Sequence, residues 1–240
     1  METQKMMLYS IPIMEFKPRI KPRGLFFLVH GHGGNKEDGV GEFPRILTNL
    51  GFLVVSVDAY MHGERKEEPY ITGNLKDVAI AMIDVVIKTT QDILLLFSDY
   101  YSKQFQSFHM LGISMGGHIA YQLPRHSPHV DTIIAIIGSP DMKAHYDLSK
   151  QPIIGTFGSE LNRKLLSLSV HKDLYLYHNT AIFALNGELD QVVSSHFAKK
   201  FILELSRKGH HKAEFKSYEC GHVVTKEMKE DIIYFIEKNI

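Results

Sequence analysis

Residues 111–123 read "LGISMGGHIAYQL" and place one serine, Ser114, between glycines. The residues before Ser114 are apolar enough for a buried strand, and those after it are suited to a helix. A serine on a sharp strand-to-helix turn is typical of a nucleophile, although Ser and Gly are also common in structural turns. The five letters Gly-Ile-Ser-Met-Gly do not decide between these alternatives. The rest of the chain must supply a base, an acid and a site for negative charge.

Composition and charge set the class of protein. The chain has 240 residues, 44% of them hydrophobic and 22% charged, with 27 basic and 27 acidic side chains. This is typical of a globular protein, and the balanced charge predicts neither a nucleic-acid partner nor a membrane partner. A homo-oligomer is compatible with zero net charge but is not indicated by it. The N-terminal residues lack the pattern of a secretory signal, and no segment approaches about 18 consecutive apolar residues, so we expect a cytoplasmic protein.

Cysteine and histidine usage bears on metals and redox chemistry. The one cysteine, Cys220, excludes a disulfide framework and a cysteine-based zinc site, and we interpret it as a small buried residue. The 14 histidines raise the question of a metal site. None of them forms the helical His-x3-His pattern of a metalloprotease together with its carboxylate. We therefore interpret them as scattered surface and loop residues and predict no metal.

Apolar runs alternate with helical patterns along the chain. The predicted buried strands cover residues 24–30, 52–58, 108–113, 132–138, 180–187 and 213–219. The predicted helices cover about 77–101, 115–124, 194–208 and 226–238, with a short helix that stops at Gly51. This rhythm predicts an α/β fold in which a mainly parallel, doubly wound sheet is flanked by helices on both faces. Residues 6–24 are expected to add an antiparallel edge strand or a hairpin.

The chain contains no linker, repeat or low-complexity segment, so we expect one domain over residues 1–240. Residues 139–179 are its least regular part and lie between two predicted strands. Two interpretations fit this segment. It is either a small lid over the site or an irregular crossover with one helix near residues 161–169.

Ser114, Asp190 and His222 each follow a predicted strand. Because open α/β sheets bind ligands beyond the carboxyl ends of their strands, we expect these side chains to meet at one edge. A serine hydroxyl needs a base to become a nucleophile at neutral pH, and imidazole suits that task. A buried carboxylate holds the imidazole in the correct tautomer. The pattern predicts Ser114 as nucleophile, His222 as base and Asp190 as acid.

Two other carboxylates compete with Asp190 for the position of the acid. Glu188 belongs to the same predicted loop, and Asp141 follows another predicted strand in the sequence "GSPD". His210 and His211 precede the last predicted strand, so we expect them at its opposite end, away from the site.

A developing oxyanion needs two N–H donors. The backbone N–H of Met115 lies at the start of a predicted helix, where negative charge is favoured. The second donor is expected from the loop "HGHGG" at residues 30–34, and we predict the N–H of His32. Gly31 in the same loop is expected to border the substrate.

The segment "DAYMHGER" at residues 58–65 follows another predicted strand. His62 is positioned there to face the substrate. The alternative, which we favour, is a network without a catalytic part that stiffens the loop, with an ion pair of Glu64 and Arg65.

The motifs "GISMGG", "HGHGGNKED", "DAYMHGER", "NGELDQVV" and "CGH" together resemble the α/β-hydrolase superfamily. More narrowly, they are similar to small single-domain esterases of its prolyl oligopeptidase-like and dienelactone hydrolase-like branch, over roughly residues 24–240. This resemblance implies a carboxylesterase that cleaves small-molecule esters through an acyl-enzyme on Ser114, with His222 and Asp190, and without metal or organic cofactor. A peptidase or acyl-peptide hydrolase is the main alternative, although the large oligopeptidases carry a propeller domain that is not found here. A binding protein that kept the fold without the chemistry is a third.

Overall fold

The computed structural model describes residues 1–66, 75–148 and 159–240, and within these the side chains outside 75–79, 146–148 and 159–161. The described residues form eight strands and seven α-helices. The strands are β1 (Glu2–Leu8), β2 (Ile11–Lys17), β3 (Leu25–Val29), β4 (Leu53–Val57), β5 (Phe108–Ile113), β6 (Val130–Ile136), β7 (Ala181–Gly187) and β8 (Ala213–Tyr218). The α-helices are α1 (Phe43–Asn49), α2 (Leu75–Leu95), α3 (Met115–Gln122), α4 (Met142–Leu148), α5 (Ser159–Ser167), α6 (Ser195–Arg207) and α7 (Lys226–Asn239).

All eight strands belong to one sheet in the order β1-β2-β4-β3-β5-β6-β7-β8. Strands β3 to β8 are parallel, whereas β2 is antiparallel to both β1 and β4. The predicted N-terminal hairpin is therefore confirmed as β1 and β2. Its turn places Tyr9 and Ser10 at φ 51° and 63°, the left-handed values that a tight hairpin turn requires at both central positions.

Strand β3 shows why helices cover both faces of the sheet. Its five residues are all buried, and alternate side chains of a strand point to opposite faces. Leu25, Phe27 and Val29 join a core with residues of α2, α3 and α6. Phe26 and Leu28 join a second core with residues of α1 and α7. The doubly wound α/β-hydrolase fold that the sequence predicted is confirmed.

Residues 139–179 contain more helix than the sequence predicted. Helix α5 confirms the predicted helix near residues 161–169, but α4 was not predicted. Met142 of α4 and Leu165 of α5 are fully buried in the larger core. Residues 149–158, on which the choice between lid and crossover also depends, lie outside the described residues.

Candidate active site

Ser114 lies on a strained turn between β5 and α3. Its backbone has φ 53° and ψ −107°, a conformation that costs a non-glycine residue about 1–3 kcal/mol. Two glycines permit this turn. A Cβ on Gly112 would lie 1.9 Å from the Gly116 carbonyl oxygen, and a Cβ on Gly116 would lie 2.2 Å from that of Val29. The close approach of α3 to the strands thus requires glycine at both positions, and it presents Ser114 at the carboxyl edge of the sheet.

Ser114, His222 and Asp190 form a continuous chain of hydrogen bonds. Ser114 Oγ lies 2.8 Å from His222 Nε2, and His222 Nδ1 lies 2.7 Å from Asp190 Oδ2. Because a carboxylate only accepts, Nδ1 carries the proton and Nε2 is left to accept from the serine hydroxyl. The Asp190 side chain is fully buried, and its second oxygen accepts from the N–H groups of Val192 and Val193 at 2.8 and 2.9 Å. These bonds orient the carboxylate toward the imidazole.

The two competing carboxylates contact other groups. Asp141 lies 3.3 Å from His171 Nε2 and accepts from the N–H of Ala144 at 3.0 Å. Glu188 accepts from the Ser217 hydroxyl at 2.6 Å. Neither of these contacts involves His222. The geometry therefore favours Asp190 over both alternatives.

His30 orients the loop that was predicted to supply an oxyanion donor. Its ring is fully buried, and Nε2 accepts from the N–H of Ala59 at 3.2 Å. Nδ1 therefore carries the proton and donates to the Gly31 carbonyl at 2.7 Å. Burial also lowers the pKa of His30, which keeps the ring neutral. Because the C=O and N–H of one planar trans peptide point in opposite directions, the N–H of His32 faces away from the His30 ring.

Gly31 lies beside Ser114. A Cβ added to it would lie 3.6 Å from Ser114 Cβ, which is ordinary van der Waals contact. The Gly34 N–H also donates to the Gly31 carbonyl, at 3.1 Å. On the other side, Met115 is the first residue of α3, so its N–H has no acceptor within the helix. The predicted loop and the predicted helix start thus flank Ser114.

A buried ion-pair network stabilises this loop. Its central pair, Lys36 and Asp58, was not predicted from the sequence. Lys36 Nζ lies 2.8 Å from Asp58 Oδ2, with the two side chains 2% and 0% exposed. Asp58 also accepts from the backbone N–H of Lys36 at 2.8 Å and of Glu64 at 3.0 Å. Burial acts to lower the pKa of the Lys36 ammonium, but Asp58 and Glu64 outweigh it and raise that pKa. The predicted pair of Glu64 and Arg65 is wrong, because Arg65 instead binds Asp92 of α2 at 2.5 Å.

His62 packs behind the same loop. It is 3% exposed, and its Nδ1–H donates to the Tyr60 carbonyl at 2.9 Å. Its ring centroid lies 5.3 Å from that of His30 and 5.4 Å from that of His32. Burial lowers the pKa of His62 to about 4, so the ring is neutral at pH 7. This position favours the interpretation of residues 58–65 as a stiffening network.

Two further histidines, which were not predicted as site residues, lie near His222. His118 of α3 accepts from the Ser139 N–H at 3.0 Å, and burial lowers its pKa to about 3. Its ring centroid lies 5.7 Å from that of His145 on α4. Burial lowers the pKa of His145, while the charge of Asp190 opposes that shift. Helix α4 thus brings His145 within electrostatic reach of Asp190 and His222.

The prediction of scattered surface and loop histidines is therefore wrong for His109 of β5 and His118 of α3, and three loop histidines are buried as well. The following are buried: His30, His62, His109, His118 and His210. In the part of the chain that the structure describes, no group of three or more His, Cys, Asp or Glu residues is arranged to hold a metal ion.

Cys220 is half-buried rather than buried, and burial raises the pKa of its thiol. No helix among the described residues is long and apolar enough to cross a membrane.

A protein-family model described as the dienelactone hydrolase family matches residues 21–237. The chain belongs to the dienelactone hydrolase family. Membership of this family supports a hydrolase. A search of curated proteins finds no match to the sequence.

Solved structures of other proteins show the same fold. TT1662 from Thermus thermophilus superposes with a TM-score of 0.79 at 18% identity, covering 99% of this chain and 97% of that one. The Pyrococcus furiosus esterase Pf2001 gives 0.65 at 15% identity, covering 99% and 92%. The Pyrococcus horikoshii acylaminoacyl peptidase gives 0.78 at 15% identity, covering 100% of this chain but 42% of the peptidase. At these identities the likeness shows that this dienelactone hydrolase family member shares their fold.

Proposed function

We propose that this chain is a serine carboxylesterase that cleaves small or medium acyl esters through an acyl-enzyme on Ser114. The observation that carries the proposal is the unbroken chain from Ser114 Oγ through His222 to the buried carboxylate of Asp190, at 2.8 and 2.7 Å. A general base within hydrogen-bond reach of a hydroxyl on a strained turn is what nucleophilic catalysis requires.

The reaction follows from this geometry. His222 Nε2 takes the Ser114 proton as Oγ forms a bond to the ester carbonyl carbon, and Asp190 stabilises the imidazolium. The negative charge on the carbonyl oxygen is accommodated by the N–H groups of His32 and Met115. Collapse breaks the ester C–O bond, and the imidazolium gives its proton to the leaving alcohol. Water then attacks the acyl-enzyme with His222 as base, which releases the carboxylic acid and restores Ser114.

We rank esters above peptides on family membership. A dienelactone is a cyclic ester, and the family model that carries this name matches residues 21–237. We further propose that residues 1–240 act as one catalytic domain in which α4 borders the substrate, because the charges of Asp190 and His222 act on His145 of that helix. A peptidase or acyl-peptide hydrolase is the second candidate. It is favoured by the same fold in the Pyrococcus horikoshii acylaminoacyl peptidase.

Labelling by a fluorophosphonate tests the nucleophile. The wild-type enzyme and a Ser102→Ala control, which changes an exposed serine outside the site, should be labelled equally. Ser114→Ala should not be labelled. Equal labelling of Ser114→Ala would refute the proposal. Turnover of p-nitrophenyl esters against aminoacyl amides then ranks the substrates, and faster turnover of the amides would favour the peptidase.

A further inference from the structure

A cleft of about 780 Å³ lies at the edge of the sheet opposite the triad. It is formed by two 3₁₀ turns, Val170–Lys172 and Leu174–Tyr177, by the end of α6 and by the residues that precede β8. The cleft residue His178 precedes β7, and Asp190 follows it. The seven residues of β7 separate the two ends by about 20 Å. The cleft is thus distinct from the proposed active site.

The lining of this cleft carries basic side chains and no described acidic ones. The basic residues include Lys172, Lys208 and Lys212. None of these three lysines forms a salt bridge with a described carboxylate. Two acids near the cleft have other partners than these lysines: Asp173 binds Arg125 at 2.5 Å, and Glu204 binds the ring of the cleft residue His171 at 2.6 Å. Glu204 therefore offsets charge on His171, but neither acid pairs with a lysine of the cleft.

An exposed aromatic ring stands beside these cations. Tyr175 is 71% exposed, while Leu205, which also lines the cleft, is buried. Backbone N–H groups cap the last carbonyls of α6, which weakens the negative end of this helix beside the lysines. Lys208 N–H donates to the Leu205 carbonyl and Gly209 N–H to the Ser206 carbonyl, both at 2.9 Å. The cleft therefore combines several cations with an accessible aromatic face.

We propose that this cleft binds a nucleotide, with the phosphates on Lys172, Lys208 and Lys212 and the base against Tyr175. Lysine is a common phosphate ligand, and bases stack on exposed aromatic side chains. The volume lies within the range of small-molecule sites. A simple inorganic anion would not use the tyrosine, and an uncharged aromatic molecule would not use the lysines. The inference stands independently of the esterase proposal.

Isothermal titration of the full chain with ATP tests the proposal, with adenosine and pyrophosphate as separate probes. We expect saturable ATP binding that is tighter than the binding of either probe. Lys172→Ala/Lys212→Ala should weaken ATP binding about tenfold or more, and Tyr175→Ala about tenfold. Lys199→Ala should leave it unchanged, because Lys199 is an exposed residue of α6 outside the cleft. An unchanged melting temperature would show that each variant is folded.

Three results would overturn the proposal. The first is no saturable binding of ATP at millimolar concentration. The second is equal weakening in Lys199→Ala and in the double variant, since this would mean that general surface charge binds the ligand. The third is pyrophosphate binding as tight as that of ATP together with no effect of Tyr175→Ala, since this would reduce the cleft to a simple anion site.

Discussion

Asp190 Oδ2 lies 2.7 Å from Nδ1 of His222. The rival carboxylate, Asp141, instead lies 3.3 Å from His171. Both acids follow parallel strands of one sheet, so their order in the sequence did not decide which of them is the partner of His222. The carboxylate of Asp190 is completely buried, whereas that of Asp141 joins the segment before α4 to His171. The two acids therefore have different expected effects on catalysis.

Asp190→Asn is expected to lower kcat for a p-nitrophenyl ester by about 10³–10⁴-fold with little change in KM. The amide can donate to His222 Nδ1 and so favour the wrong tautomer, an effect of about this size in serine proteases. Asp141→Asn, the matched control, should change kcat less than about tenfold. Steady-state kinetics on the two purified variants distinguish the acids. A larger loss of kcat in Asp141→Asn would show that the assignment is wrong.

His30→Ala is expected to lower kcat by about 10–100-fold at nearly constant KM. The variant loses the donor that holds the Gly31 carbonyl and with it the orientation of the His32 N–H. Complete loss of an oxyanion donor costs about 10²–10³-fold, and the Gly34 N–H still holds the carbonyl in part. His109→Ala is the control, because His109 is also a buried histidine but lies on β5. It should lower the melting temperature without lowering kcat. Equal kcat losses in both variants would count against the positioning role.

Lys36→Met is expected to destabilise the fold by about 3–5 kcal/mol, because it leaves the buried carboxylate of Asp58 without its cation. Urea unfolding measures this. Lys36→Met/Asp58→Asn should recover part of the loss, since the amide is uncharged and its oxygen still accepts one of the two backbone hydrogen bonds. Lys229→Met removes the pair with Glu42, whose side chains are 28% and 52% exposed. It should cost no more than about 1 kcal/mol. A similar cost for both lysines would contradict a buried network.

Most of the fold, and the meeting of the three residues proposed as a triad, could be predicted because each core strand is a short apolar run that ends in a recognisable residue. Ser114, Asp190 and His222 follow such runs, and parallel strands bring their ends together. The partner of Lys36 could not be predicted, because Asp58 is 22 residues away and several acids were equally available. The position of His145 depends on where α4 packs, and the hydrophobic periodicity of a sequence does not predict this. The hairpin at Tyr9 and Ser10 lacks the Asn-Gly signal of its turn type, so the sequence indicated it only weakly.

The pair of His171 and Asp141 predicts a pH-dependent stability. The hydrogen bond to Asp141, reinforced by Glu204 and opposed by burial, raises the pKa of His171 above 6.5. A raised pKa in the folded state means that the contribution is full below the unfolded value and is lost as pH rises through the folded value. The free energy of unfolding of the wild type should therefore exceed that of His171→Gln by roughly 0.5–1 kcal/mol at about pH 6. The difference should shrink toward about pH 9. Urea unfolding at several pH values measures this, and a difference that grows with pH would contradict it.

The proposed reaction depends on an acyl-enzyme at Ser114. Rapid acid quenching during turnover of a p-nitrophenyl ester, followed by peptide mass spectrometry, detects this intermediate directly. We expect a stoichiometric burst of p-nitrophenol and the mass of the acyl group on the peptide that contains Ser114, with neither in Ser114→Ala. Continued turnover by Ser114→Ala, or an acyl group on any other residue during the burst, would contradict it.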